Sequence, residues 1–202
     1  MKLAVFGATG GTGPFVLREA VLRGHEVTAF ARRPEALVVP SSLASIVTGD
    51  ARNLDDAAAA VQGQDAVIMT VSGRTQPGAV CEIARAVTTA MSEAGVPRLI
   101  ATSAYGIVAT KPYVMAGLVR RMFAATFADQ AAADELVQAT ELQWTIARAT
   151  RLIDKPAKRP ARTTTELISK GPYSLSRDAW AETLLDLAES GTDIRRIVNV
   201  TG

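Results

Sequence analysis

The sequence predicts a single α/β domain built on a doubly wound, mostly parallel sheet. Three observations carry this reading. Short apolar runs recur at Lys2–Phe6, Glu26–Ala31, Ser45–Asp50, Asp65–Val71, Pro97–Thr102, Trp144–Ala149 and Ile197–Val200. Each has the length and the Val, Ile, Ala and Phe content of a buried strand. Amphipathic stretches separate most of them, and strand–helix alternation winds a parallel sheet through right-handed crossovers. The first run passes directly into Gly7-Ala-Thr-Gly10-Gly11-Thr-Gly13 and then into Pro14. Strand, glycine turn and helix in that order is the arrangement that receives a pyrophosphate.

Composition sets bounds. At 202 residues one domain with a full core is the expectation. A net charge of +2 gives no argument for nucleic-acid binding. The single Cys81 excludes an internal disulfide and fits a reducing, cytoplasmic setting. No secretory pattern opens the sequence and no apolar run approaches membrane-spanning length, so no membrane partner is expected.

The glycine loop comes first. One glycine permits the tight turn, one lets the backbone approach the phosphates, and one lets helix and strand pack closely. Gly7, Thr9, Gly10, Gly11, Thr12 and Gly13 are therefore the predicted cofactor cradle. Pro14 suits the first helical position, and the unpaired N–H groups of that turn attract the anion. The helix runs from Phe15 to Arg23, with Val16, Leu17, Ala20 and Val21 as its inner face, and Gly24 ends it. His25, the only histidine, reads as a surface turn residue. After the second strand an NAD-binding chain places Asp or Glu about 20 residues past the glycines, to hold the ribose 2′-OH. Here Arg32 and Arg33 stand there. Two guanidinium groups match a 2′-phosphate, which points to NADP(H).

The third strand ends at Asp50, on the side where adenine should lie, and Asp50 and Ala51 are candidate cofactor contacts. Asn53 is a helix cap, with Asp55 and Asp56 in the first turn. The fourth strand, ending in Thr70 and Val71, lies beyond the crossover, where strand order reverses and ligands bind. Ser72-Gly73-Arg74 leaves it toward the nicotinamide side. A helix from Ala79 to Ala94 follows, with Cys81 as a small core residue. From Ala94 to Ala128 there is no acid, whereas Arg98, Lys111, Arg120 and Arg121 are interspersed with Tyr105, Tyr113, Met115, Phe123 and Phe127. This stretch is either a pocket wall for a flat or anionic molecule or a core helix with a basic outer edge. Asp129–Thr140 is helical with Leu136 and Val137 inward. The basic, proline-broken segment from Thr150 to Arg162 reads as loop, with Arg151 placed to touch ligand. Ser176 caps a last helix, Arg177 to Ala188. Substrate-side elements are expected at about 104–130 and 150–175.

In combination these residues resemble the atypical short-chain dehydrogenase/reductases, in particular the NmrA-like group with its flavin reductase/biliverdin reductase B branch. The pieces are the glycine loop, Arg32-Arg33, Gly49-Asp50, Gly63-Gln-Asp-Ala-Val-Ile68, Thr102-Ser103-Ala104, Leu142-Gln-Trp-Thr-Ile146 and Ser176-Arg-Asp178. The resemblance implies a Rossmann fold over nearly the whole chain, a nicotinamide cofactor, and Ser103 beside the nicotinamide. One departure is plain. The Tyr-x-x-x-Lys pair of typical members is absent, since Ala109 stands four residues after Tyr105 and Gly117 four after Tyr113. Another is Arg151 where the flavin and biliverdin reductases carry histidine. The expectation is an NADPH-dependent reductase of a flat conjugated acceptor such as a quinone or flavin, acting as a monomer or homodimer. Ser103, Tyr105 and Arg151 are its candidate catalytic residues, and Tyr113 and Arg151 its substrate contacts. Alternatives are a non-turning NADP redox sensor and a sugar-nucleotide epimerase or dehydratase.

Overall fold

The computed structural model describes residues 1–37, 45–72, 78–110, 113–156, 160–169 and 173–202. In chain order the elements are β1 (Lys2–Phe6), α1 (Gly13–Leu22), β2 (Glu26–Ala31), β3 (Ser45–Thr48), α2 (Leu54–Val61), β4 (Ala66–Met69), α3 (Ala79–Ala94), β5 (Arg98–Ala104), α4 (Tyr113–Met122), α5 (Ala124–Gln138), β6 (Gln143–Ala149), β7 (Arg151–Ile153), β8 (Arg162–Thr164), β9 (Ser174–Ser176), α6 (Arg177–Ser190) and β10 (Arg196–Thr201).

An eight-stranded sheet has the order β3-β2-β1-β4-β5-β6-β10-β8. All its pairings are parallel except that of β8 with β10. Strand order therefore reverses between β1 and β4, as the first crossover predicts. The central strands β1, β4 and β5 are apolar on both faces because both are covered. On one side α1 and α6 bury Leu17, Trp180 and Leu184 against Leu3, Val5 and Ile100. On the other, α2, α3 and α5 bury Val61, Val87, Met91 and Val137 against Phe6, Val67 and Leu99. Phe6 and Phe30 stack at 4.8 Å between ring centroids within this second layer. Cys81 is half-buried there, a packing residue as expected.

Local signals hold where the chemistry is local. The Asn53 side chain accepts from Asp55 N at 2.8 Å and Asp56 N at 3.2 Å, and Ser176 Oγ accepts from Ala179 N at 3.1 Å. Gly95 ends α3 in the left-handed conformation at φ 69°. Pro14 is the second helical residue, because Gly13 already starts α1.

Several expectations are corrected. The proline-broken segment is not all loop: β7 pairs in parallel with β9 as a separate two-stranded sheet, and β8 edges the main sheet. These strands are only three residues long, too short for a periodic signal. Helix α5 begins five residues before Asp129, with no side-chain cap at Phe123 to mark its start. Arg98 is not part of a basic surface. It is buried and donates to the carbonyls of Gln143 at 2.8 Å, Leu187 and Thr192, stapling β5 to the end of α6. His25 is held rather than free, with Nε2 at 2.6 Å from Glu189 and Nδ1 at 3.3 Å from the Met1 amino group.

Candidate active site

The carboxyl ends of β1, β4, β5 and β6 open into one cleft of about 1100 Å³. Its first half is the glycine loop. Gly7 has φ 82°, and a Cβ there would meet the Thr70 carbonyl at 2.7 Å. Thr70 closes that approach, donating its hydroxyl to the carbonyls of Phe6 at 3.0 Å and Gly7 at 3.3 Å. Its hydroxyl is thus committed to the backbone, although Thr70 still lines the cleft. A Cβ on Gly13 would lie 2.3 Å from the Ala8 carbonyl, so Gly13 is the close-packing glycine. Gly10 and Gly11 line the cleft, where a side chain would enter the space of a ligand. Gly7 and Gly13 have the tight-turn and close-packing geometry expected of them, Gly10 lines the cleft, and a dinucleotide pyrophosphate would fit this backbone cradle.

Thr9, Thr12, Ala51, Val71 and Ser72 also line this half. Arg32 faces it, but Arg33 is not among the lining residues, and Arg74 lies outside the described residues. Asp50 lines the cleft with its carboxylate already engaged. The Arg52 guanidinium grips it through Nε at 3.0 and 3.1 Å and a terminal nitrogen at 2.5 Å. That contact holds the Asp50 carboxyl down to about 2. Arg52 itself lines the cleft and was not anticipated. Nor was Arg177, the first residue of α6. Its guanidinium nitrogens lie 3.4 Å from where a Gly11 Cβ would sit, Asp154 anchors it at 2.5 Å, and its buried Nε has no hydrogen-bond partner among the described residues.

The rest of the lining mixes apolar side chains with a few polar ones. Ala116 and Val119 of α4, Phe127 of α5 and Phe123 between these helices form part of it, as do Leu152 and Tyr173. Arg120 and Arg121 are exposed, so the acid-free stretch is a pocket wall and also carries a basic outer edge. Tyr113 begins α4, but its side chain and all of Lys111 lie outside what is described. Arg151, exposed and on β7, lines the cleft.

Ser103 and Tyr105 line the same cleft and are both buried. The Tyr105 hydroxyl is engaged, accepting from Ile168 N at 2.8 Å and donating to Ile168 O at 3.2 Å. Ser103 Oγ donates to Asp134 Oδ2 at 2.8 Å, and Arg148 meets the same oxygen at 3.0 Å. Burial pushes the Asp134 carboxyl above the usual range, against the opposing pull of Ser103 and Arg148. Sequence reasoning missed this network. The inward stripe of α5 runs Gln130, Ala133, Asp134, Val137. A search for apolar residues at helical spacing passes over its two polar members, and the i, i+3, i+4, i+7 interval was the available signal.

A family model described as NAD(P)H-binding matches residues 7–190. The chain belongs to the NAD(P)H-binding family. Solved structures share its Rossmann architecture. An oxidoreductase from Lactococcus lactis superposes with a TM-score of 0.85 at 22% identity, over 100% of this chain and 91% of that one. ChuY, an anaerobillin reductase from Escherichia coli O157:H7, gives 0.84 at 21%, over 99% and 96%. A short-chain dehydrogenase/reductase from Veillonella parvula in complex with NADP gives 0.84 at 17%, over 100% and 94%. Family and fold agree with the atypical short-chain dehydrogenase/reductase resemblance of the sequence. In this NAD(P)H-binding chain, no helix among the described residues is long and apolar enough to cross a membrane.

Proposed function

We propose that this NAD(P)H-dependent oxidoreductase is an NADPH-consuming reductase of a flat, conjugated acceptor, of the quinone, flavin or linear tetrapyrrole kind. The observation that carries the reading is the continuity of the cleft, from a glycine cradle to a chamber walled by Val119, Phe123 and Phe127. When bound, the nicotinamide supplies the hydride. The protein orients the two rings and keeps water off one face.

A conjugated acceptor takes the hydride into a delocalised system and can draw its proton from water. That suits a cleft whose buried tyrosine hydroxyl is already held by backbone. It disfavours an epimerase or dehydratase that needs a tyrosine–lysine pair. The exposed Arg151 guanidinium stabilises negative charge developing on the acceptor, or a carboxylate at its rim. Arg32 supports preference for the 2′-phosphate. ChuY, named as an anaerobillin reductase, supports the choice of acceptor class by analogy of fold alone.

The test is NADPH oxidation followed by its absorbance, with menadione, FMN and biliverdin offered in turn. Steady oxidation with one of them, and slower oxidation with NADH, is the expected result. Tight NADPH binding with no oxidation by any flat acceptor would favour a redox sensor instead.

A further inference from the structure

Ser103 stands on the cleft floor near the carboxyl end of β5, and directly behind it is a carboxylate that the cleft does not reach. Asp134 is 3% exposed and accepts the Ser103 hydroxyl at 2.8 Å. The groups facing that carboxylate are Ser103 from β5, Arg148 from β6 and Gln130 from α5. Arg148 lies beside Ser103 in the sheet register and donates to Asp134 Oδ2 through two nitrogens, at 3.0 and 3.3 Å. An ionised carboxylate only accepts, and a serine hydroxyl has one hydrogen and two lone pairs. With its hydrogen held by Asp134, Ser103 shows the cleft lone pairs alone. Turning the hydrogen to the cleft would strip the buried carboxylate of a donor, which is costly in a dry interior.

We propose that Asp134 is a positioning residue that fixes Ser103 as a hydrogen-bond acceptor toward the cleft, so that the bound molecule must present an N–H donor there. This rests on the reading of the cleft as a nicotinamide and acceptor site. Two sources offer such a donor: the carboxamide N–H of the dinucleotide, and a ring N–H of a flat acceptor. A bare carbonyl in that position would meet lone pairs with lone pairs.

The first arm measures calorimetric affinity for NADP⁺ and for its 3-acetylpyridine analogue, at mildly alkaline pH, which favours the ionised carboxylate. The analogue keeps the carbonyl and lacks the N–H. The native protein should prefer NADP⁺ by roughly 5–10-fold, the worth of one such hydrogen bond. Ser103→Ala should bring the ratio near unity. Asp134→Asn gives Ser103 a donor from behind and turns its hydrogen to the cleft, so the preference should vanish or pass to the ketone. The second arm compares NADPH-driven reduction of lumiflavin and 3-methyllumiflavin, which differ in one ring N–H, in the same three proteins. A Ser103-dependent preference in the first arm assigns the donor to the dinucleotide, and one in the second arm alone assigns it to the acceptor. Equal handling of both pairs by the native protein overturns the proposal, as does a preference that survives Ser103→Ala. The native and Ser103→Ala comparisons stand even if Asp134→Asn, which deprives Arg148 of its partner, does not fold. Failure of both dinucleotides to bind is a different outcome, and it removes the reading of the cleft together with the proposal.

Discussion

The Tyr105 hydroxyl clasps the backbone of Ile168, 63 residues away, accepting from its N–H at 2.8 Å and donating to its carbonyl at 3.2 Å. The residue lines the cleft while its oxygen ties down the backbone segment at Ile168. A phenol held in this way shapes the pocket. Delivering its proton would break a contact that the fold uses.

Tyr105→Phe should therefore act mainly on stability. It leaves a buried N–H without a partner, a loss of about 1–3 kcal/mol. Turnover with the best acceptor should fall by less than ~10-fold, well short of the ~10²–10⁴ expected when a general acid is removed. Thermal unfolding and steady-state rates across neutral pH check both halves. A collapse in rate with unchanged stability would restore tyrosine as proton donor.

The two arginines after β2 are not equivalent. Arg32 faces the cleft, whereas Arg33 is not among its lining residues, and Arg52, although it lines the cleft, is already paired with Asp50. Arg32→Ala should weaken NADPH binding by at least ~10-fold, since a charge-assisted hydrogen bond contributes roughly 1.5–3 kcal/mol. NADH binding should hardly change. Arg33→Ala should leave both affinities near native. Equal loss of NADPH and NADH in Arg32→Ala would show that the 2′-phosphate lies elsewhere.

The sheet, the glycine roles and the helix caps were legible because each is set within a few residues. Gly7, Gly10 and Gly13 act through backbone geometry that a short motif fixes, and Asn53 and Ser176 bond donors two or three residues on. The strand pairings at the far edge were not legible. Strands β7 and β9 owe their existence to each other across more than twenty residues, not to any local pattern. The polar residues of the cleft divide the same way. Arg32 was readable from its distance to the glycines. Arg177 was not, since only the docking of α6 against α1 brings it to Gly11. Arg98, one of the basic residues of a stretch the sequence left open between pocket wall and outer edge, is enclosed by packing.

Arg177 leads to a prediction that contrasts with Arg32. Its guanidinium sits against Gly11 of the glycine loop, and its Nε has no hydrogen-bond partner among the described residues; a pyrophosphate held there would be common to both nicotinamide dinucleotides. Arg177→Met keeps much of the side-chain bulk and removes the charge. Affinity for NADPH and NADH should fall together, by roughly 10-fold each. Titration of both cofactors, followed by tryptophan fluorescence, distinguishes this pattern from that of Arg32→Ala. A selective loss of NADPH would place the 2′-phosphate at Arg177 and the adenosine in a different part of the cleft.

Asp134 gives stability a pH dependence of defined sign. Burial raises its carboxyl above the ordinary value of 3.8, and the pull of Ser103 and Arg148 offsets only part of that rise. Between 3.8 and the raised value the folded chain holds a proton that the unfolded chain has released. Where the native state binds more protons, stability falls as pH rises. This carboxyl therefore favours folding most below pH 3.8, and its ionisation penalty is fully present above the folded-state pKa. Asp134→Asn carries no titrating group, so subtracting its stability from that of the native protein isolates the effect. The difference, taken from urea midpoints at a series of pH values, should shift in favour of the asparagine variant as pH rises through that window. A shift in the opposite direction would mean that attraction to Arg148 outweighs burial. The Ser103–Asp134–Arg148 network would then be a net stabilising ion pair at neutral pH.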